Sequence, residues 1–300
     1  MTTLPQVSAK RRRTDRTMRM LLGFCTAVAL VPLGLILYFL VKSGLGAWSG
    51  HFFTSDPNGN QCFPHVPGAP APPPCDIGGI RSALLGTLEI MALATAIAVP
   101  LGIGVALWLT EYGSTASWFA TVVRYFVDVM TGVPSIIFGL FIYIVLVASH
   151  IGGNQAGWKG AVALSLLMLP IVTRAAEVVL LLVPSSLREA ALALGAPRWR
   201  VVTRVVLPTA GSGLVTGSLL AIARGAGETA PLLFTIGAGH VLTFGLGQPM
   251  NSLPTQIFSD LSQPQNQFID RAWGSALTLV ALILLVSLIA RALSRRSRLA

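Results

Sequence analysis

Two pairs of opposite charges lie inside long apolar segments of the chain. Arg174 and Glu177 are three residues apart, and Arg224 and Glu228 are four residues apart. On a helix both spacings place the two side chains on one face, where each charge partly neutralises the other. The guanidinium is a planar fork of donors suited to oxyanions, and a neighbouring carboxylate orders it until an anion displaces that carboxylate. We therefore interpret both pairs as parts of an anion path and not only as structural salt bridges.

Three further charged residues interrupt apolar segments. Glu89 lies in the second segment, and Arg124 and Asp128 lie near one end of the third. A charged side chain at the centre of a membrane-spanning helix costs about 2.5–3.5 kcal/mol on insertion scales, so each of these residues needs a partner or a task. For Arg124 and Asp128 we expect salt bridges that hold helices together.

The elements that position these residues are predicted to be membrane-spanning helices. Apolar residues make up 53% of the 300 residues and charged residues only 11%, which excludes an ordinary soluble domain with about 25% charged residues. A helix needs about 20 apolar residues to cross a bilayer. Six segments approach or exceed this length: 20–41, 82–110, 118–149, 160–183, 210–234 and 273–290. The sequence therefore predicts an all-α membrane protein with six transmembrane helices.

The excess positive charge is concentrated at the two ends of the chain, where residues 1–19 and 291–300 carry nine of the ten excess charges. Because Lys and Arg collect on the cytoplasmic side, we expect a multi-pass plasma (inner) membrane protein with both termini cytoplasmic. The tails can attract anionic membrane lipid, and nucleic-acid binding is not expected. The predicted regions are a basic tail (1–19), a first helix (20–41), an external Pro-rich loop (42–80), a five-helix core (81–292) with a cytoplasmic loop (184–208), and a second basic tail (293–300).

The external loop contains Cys62 and Cys75 with six prolines between them. These prolines predict an extended, irregular segment without a core of its own. On an oxidising side of the membrane the two cysteines can pair and contribute about 3 kcal/mol; two free thiols are the alternative. Cys25 and the four histidines are scattered, so no spacing in the chain predicts a metal site.

The cytoplasmic loop has the features of a short surface helix. Ser186 and Glu189 have the spacing of a capping box directly after Pro184, and Gly195 followed by Pro197 can end the helix. Such a helix can lie among lipid headgroups, or its small residues can let a partner protein approach closely.

One string in this loop resembles the loop that importer-type ABC transporter permeases insert into their ATPase subunits. The spacing agrees over 20 residues, with Val205 where isoleucine is commonest. The residues that match are Glu189, Ala190, Ala191, Gly195, Leu207 and Pro208. The resemblance implies that this loop is a coupling helix.

Three other strings resemble a narrower group, the permeases of phosphate-specific (Pst) ABC importers. They are residues 132–139, residues 174–177 and residues 224–235. The likeness covers roughly residues 80–240 and is nearest to the A-type subunit, with the sister C-type subunit as the alternative. Ala175 and Ala176 depart from the pattern, because hydroxyl residues are expected there and a polar lining is then in doubt.

The resemblance implies a type I ABC importer permease core that works with several partners. These are a sister permease, two copies of an ABC ATPase inside, and a phosphate-binding protein outside. It also implies that the two Arg–Glu pairs line the path of inorganic phosphate. No catalytic residue and no cofactor are expected in this chain, which lacks a Gly-x-x-x-x-Gly-Lys-Ser/Thr loop; the ATPase subunits would bind ATP and Mg.

Three other functions remain open on the residues alone. The chain can belong to an ABC importer for another oxyanion, such as sulfate or molybdate. It can be an ion-coupled secondary transporter or a channel, with Glu89, Glu177 or Glu228 as proton carriers, although the coupling loop argues against this. It can also be a membrane scaffold that holds a regulator through the amphipathic loop.

Overall fold

The computed structural model describes residues 9–58, 77–113, 117–237 and 245–296, and these residues form helices and connections without a β-sheet. The helices are α1 (Ala9–Ala47), α2 (Gly50–Thr54), α3 (Arg81–Leu107), α4 (Trp118–Gly132), α5 (Ser135–Ile142), α6 (Gly157–Leu181), α7 (Ser185–Ala193), α8 (Arg198–Val201), α9 (Leu207–Ala226), α10 (Ala230–Thr235), α11 (Leu253–Leu261) and α12 (Asn266–Arg296). Single π-helical turns extend α3, α5 and α8. The predicted all-α fold is confirmed. Cys62 and Cys75, with the prolines between them, lie outside the described residues.

Five helical runs are long and apolar enough to cross a membrane, and they agree with five of the six predicted spans. They are Lys10–Ala47, Arg81–Tyr112, Gly157–Leu181, Arg198–Ala226 and Asn266–Ala292. The first helix is longer than predicted because the basic segment before residue 20 continues it. The run Arg198–Ala226 begins with the second half of the loop 184–208, which joins α9 without a break.

The remaining predicted span, 118–149, is not one straight helix. α4 and α5 meet at an angle of 102°. Pro134 has no backbone N–H to donate and holds Val133 in an extended conformation, with φ −72° and ψ 129°, so the helix cannot continue through this dipeptide. The described residues contain six segments long and apolar enough to cross a membrane when this bent pair counts as one.

The long helices fix the two ends of the bundle. Near the end of α1, a side chain at Gly44 would meet Leu277, and a side chain at Gly274 would meet Ala47, so α1 and α12 run antiparallel. Ala9 and Arg296 therefore lie at one end, which we call the terminal face. α3 and α6 both run towards the terminal face and α9 runs away from it. The loop between α6 and α9 consequently lies at the terminal face.

Small residues allow α6 and α9 to cross closely. An added Cβ at Gly213 would lie 2.5 Å from Val179, and one at Gly217 would lie 2.7 Å from Ala175. These pairs set an antiparallel register in which residue numbers on the two helices sum to about 392. Close approach of this kind is the usual way in which membrane helices gain packing energy.

The segment between α10 and α12 contains a buried polar cluster. Arg271 donates to both carboxylate oxygens of Asp260 at 2.9 and 2.5 Å, and their side chains are only 4% and 1% exposed. Gln256 also donates to Asp260 at 2.7 Å and accepts from Asn251 at 2.5 Å. This chain of partners satisfies the buried charges and folds α11 against α12 at the end opposite the terminal face.

Two glycines of α3 offer a matched test of this packing. A Cβ at Gly86 would lie 2.2 Å from the carbonyl oxygen of Asn251, whereas Gly104 has nothing within 4 Å. We expect Gly86→Ala to lower the free energy of unfolding by about 1–3 kcal/mol through overpacking. Gly104→Ala should raise it by about 0.5–1 kcal/mol, since alanine restricts the unfolded chain. Thermal unfolding of the purified protein in detergent measures both. Equal melting temperatures for the two variants would contradict this packing.

Candidate functional site

Four charged side chains form one network between α4 and α6. Arg124 donates from Nε to Oε1 of Glu177 at 2.9 Å, and Arg174 donates from Nη1 to Oε2 of Glu177 at 2.6 Å. A further guanidinium nitrogen of Arg174 contacts the carboxylate of Asp128. The predicted Arg174–Glu177 pair is therefore present. Arg124 and Asp128 join helices, as expected, and they do so by completing this pair.

The two carboxylates of the network differ in exposure. The side chain of Glu177 is 8% exposed and binds two guanidiniums, whereas that of Asp128 is 60% exposed. An exposed ion pair contributes about 0–1 kcal/mol, whereas removing one member of a buried pair leaves an uncompensated charge. The exposure therefore favours Asp128, and not Glu177, as the partner of Arg174 that an incoming anion can replace.

Arg224 and Glu228 stand at the end of α9. The helix ends at Ala226, so Glu228 follows it and does not continue the same helical face as the spacing predicted. The two side chains still form an ion pair, with 3.5 Å between Nη2 and Oε1. Arg224 is 61% exposed and Glu228 is 15% exposed. The guanidinium thus points away from the helix bundle, and the carboxylate holds it from the bundle side.

The two arginines lie at different depths. A Cβ at Gly225 would lie 2.9 Å from Sδ of Met168, so Arg224 is nearly level with Met168 on α6. Met168 and Arg174 are six residues apart, which is about 9 Å along a helix axis. Arg174 is the one nearer the terminal face. An anion that met both guanidiniums would therefore meet them in succession.

An open cavity of about 780 Å³ lies between α6, α9 and α12 next to the Arg224 face. Its lining includes Thr216 and Ala223 of α9 and Ser287 and Arg291 of α12. Ala223 directly precedes Arg224, whose own side chain is not part of the lining, and Thr216 lies about 20° from Ala223 around the helix. The cavity thus extends from the level of Ala223 towards the terminal face, with hydroxyl groups and the guanidinium of Arg291 along it.

Ala175 and Ala176 take part in helix packing. Ala175 faces Gly217 across the close crossing of α6 and α9, and Ala176 is 2% exposed. A hydroxyl group at either position would be buried between helices. These two positions of α6 therefore do not supply a polar lining, which the sequence had left in doubt.

Glu89, the charged residue of the second apolar segment (82–110), is half-buried on α3. Among the described residues, no ion pair or hydrogen bond of its side chain is present.

The cytoplasmic loop folds into two short helices at the terminal face. α7 begins directly after Pro184, and the predicted capping box does not form, because no side chain caps its first turn. Gly195 has φ +78°, a left-handed conformation that glycine adopts without strain, and it ends α7 as predicted. Within the string that resembles a coupling loop, Glu189, Ala190 and Gly195 are exposed, Ala191 is half-buried, and Leu207 and Pro208 begin α9.

Comparison with known proteins identifies the family. Residues 98–299 match the family described as binding-protein-dependent transport system inner membrane components. Over 227 residues the chain is 44% identical to the phosphate transport system permease protein PstA of Xylella fastidiosa (strain Temecula1 / ATCC 700964), which covers 76% of this chain and 78% of the relative. The chain belongs to the binding-protein-dependent transport permeases.

Other relatives of this permease carry the same name. It is 44% identical to the phosphate transport system permease protein PstA 1 of Mycobacterium tuberculosis (strain ATCC 25618 / H37Rv), over 71% of this chain and 68% of the relative. It is 36% identical to PstA of Haemophilus influenzae, over 93% of this chain and 94% of the relative. The resemblance to the A-type phosphate permease group is confirmed.

Chains of two solved ABC transporter structures share the fold of this permease. A chain of a bacterial alginate ABC transporter, in complex with an alginate-bound periplasmic protein, aligns with a TM-score of 0.64 at 16% identity over 96% of both chains. A chain of the inward-facing MetNI methionine ABC transporter aligns with a TM-score of 0.57 at 20% identity, over 73% of this permease and 94% of that chain. The predicted type I importer permease fold is confirmed.

Two charged residues of the permease acquire roles that sequence reasoning missed. Lys159 is completely buried and donates to the carbonyl oxygens of Leu146, Gly153 and Asn154 at 3.0, 2.7 and 2.7 Å. It therefore ties the turn between α5 and α6 to the start of α6. The sequence feature that could have indicated this role is a lysine in an otherwise apolar segment. The other residue is Arg188, at the terminal face.

Proposed function

We propose that the chain is the A-type permease subunit of an ATP-driven importer of inorganic phosphate. The observation that carries this proposal is the half-exposed guanidinium of Arg224, held by Glu228 beside the cavity in a largely apolar helix bundle. A charged side chain in a membrane helix is energetically costly, so its presence there favours a role in binding a ligand of opposite charge. The names of the relatives support phosphate as that ligand.

The geometry supports a succession of two anion contacts. Phosphate first meets Arg224, and Glu228 can accept a hydrogen bond from an OH group of the protonated anion. It then meets Arg174, where it replaces the exposed Asp128 while buried Glu177 keeps the guanidinium in place. Each Arg is neutralised when phosphate is absent, so a permanently positive pore that leaks other anions does not arise.

The terminal face is the cytoplasmic face in this proposal, because the basic tails and the arginine-rich loop lie there. Two copies of an ABC ATPase bind at this face, and α7 is the coupling helix that enters them. A phosphate-binding protein delivers the anion at the opposite face. A sister permease completes the path beside the exposed side of Arg224, and membrane lipid surrounds the rest, including the exposed apolar side chains of α1.

In this proposal the partner subunits supply the energy for transport. The ATPase subunits bind ATP and Mg and hydrolyse ATP, and this chain is a non-catalytic subunit. Movement of α7 would turn the helices that carry Arg174 and Arg224 and so change which side of the membrane the cavity faces.

Uptake by reconstituted proteoliposomes tests this function. We expect ATP-dependent phosphate uptake by the complete complex with binding protein, and none by this chain alone or with its sister permease. Uptake by this chain alone would identify a channel or secondary transporter. Preferential competition by sulfate or molybdate would identify an importer for another oxyanion. If the partner subunits took up phosphate equally well with and without this chain, the chain would be a scaffold.

A further inference from the structure

Arg188 on α7 binds two separate segments of the chain. Its Nε and Nη2 donate to Oε1 of Glu111 at 3.0 and 2.8 Å. Its Nη1 donates to the carbonyl oxygen of Val183 at 2.6 Å, and Nη2 also donates to that of Leu180 at 2.9 Å. Glu111 lies in the π-helical turn that extends α3, and Leu180 and Val183 lie at the end of α6. One guanidinium therefore joins α7 to the ends of α3 and α6.

Each partner of Arg188 suits a cation. The last carbonyl groups of a helix have no intrahelical donor and form the negative end of the helix dipole. Glu111 is 10% exposed and Arg188 is 22% exposed, so water screens their ion pair weakly. Nε and Nη2 share one oxygen of Glu111, and Nη1 and Nη2 also reach two carbonyl oxygens. These several contacts fix the orientation of the planar guanidinium, which a single point charge would not do.

α7 has little else to hold it against the bundle. None of its residues is buried, and Ala191 is the one that packs at the edge of the neighbouring apolar cluster. Leu187 and Leu192 are 42% and 45% exposed. Hydrophobic contact thus anchors this helix weakly, and the Arg188 contacts are its main directional attachment.

We propose that Arg188 and Glu111 are positioning residues that transmit the movement of the coupling helix to α3 and α6. This inference rests on the proposed function, in which α7 follows the ATPase subunits. Because α7 is bonded to the ends of both helices, a displacement of α7 displaces them together. α6 carries Arg174 and Glu177, so the motion reaches the site near the terminal face directly. Without the contact, α7 would move while the transmembrane helices lag behind.

The experiment measures phosphate transported per ATP hydrolysed in the complete complex with its binding protein. Arg188→Gln removes the charge and most of the donors. Glu111→Gln is isosteric, and residue 111 lies outside the loop 184–208. We expect each variant to retain its ATPase subunits and to transport about tenfold less phosphate per ATP, as expected for losing a charge-assisted contact. The double variant should be no worse than Arg188→Gln, because both changes break one link.

Arg81→Gln is the matched control. Arg81 also donates from Nε and Nη2 to a carboxylate, that of Asp56, at 3.1 and 2.6 Å, but at the end opposite α7. It should leave the transport ratio unchanged. An unchanged ratio in both Arg188→Gln and Glu111→Gln, a change in only one of them, or loss of the ATPase subunits would each overturn the proposal. The proposed function fails by a different result, namely absence of ATP-dependent phosphate uptake by the unaltered complex.

Discussion

Arg224→Gln is expected to lower ATP-dependent phosphate uptake by about 10- to 100-fold, the range for losing a charge-assisted hydrogen bond. The substitution keeps the size and polarity of the side chain and removes its charge and fork geometry. The fold should survive, because Arg224 is 61% exposed and its ion pair with Glu228 spans 3.5 Å. Uptake of labelled phosphate by the reconstituted complex measures the effect, and co-purification of the partner subunits shows assembly.

Two variants define what this loss means. Arg19→Gln is the matched control, since Arg19 forms an exposed i,i+4 ion pair with Asp15 at 2.7 Å in the part of α1 before the apolar run; uptake should not change. Arg224→Lys retains a charge but not the planar fork, and uptake should be intermediate. Normal uptake by Arg224→Gln would remove this residue from the phosphate path.

The architecture was predictable where local pattern determines it. Long apolar segments have few ways to satisfy their backbone in a bilayer except as helices, so composition and segment length predicted the helical class and six crossings, five of which are the long helical runs. The bend at Pro134 was less visible, because the apolar run continues through it. Only the extended conformation that Pro134 forces on Val133 separates α4 from α5.

Within the site, only the contact between residues close together in the sequence was predictable. The spacing of Arg174 and Glu177 indicated a pair, but the second partner of Glu177 is Arg124, which is 53 residues away in the chain. The contact of Arg188 with Glu111 spans 77 residues, and that of Arg271 with Asp260 requires α11 to fold back on α12. Periodicity within one segment carries no information on such pairs, since packing between helices creates them. Burial likewise distinguished Glu177 from Asp128, and a sequence does not show it.

The two carboxylates that bind Arg174 should respond differently to neutralisation. Glu177→Gln leaves two guanidiniums around a buried neutral amide, and breaking a buried ion pair in this way costs about 3–5 kcal/mol. We expect a large fall in melting temperature and little assembled complex. Asp128→Asn removes an exposed partner, with the side chain 60% accessible, so the fold and the assembly should be retained. Thermal unfolding in detergent and the yield of assembled complex measure both.

The difference between the two variants extends to phosphate. If Asp128 occupies the place on Arg174 that phosphate takes, its neutralisation removes a competitor. Asp128→Asn should then bind labelled phosphate about tenfold more tightly in equilibrium dialysis of the complex without binding protein, the size expected for one charge-assisted contact. The control is Asp15→Asn, which removes an exposed carboxylate that pairs with Arg19 far from Arg174; affinity should not change. Weaker or unchanged binding by Asp128→Asn would show that Asp128 is a fixed structural partner, as Glu177 is, and that phosphate does not displace it.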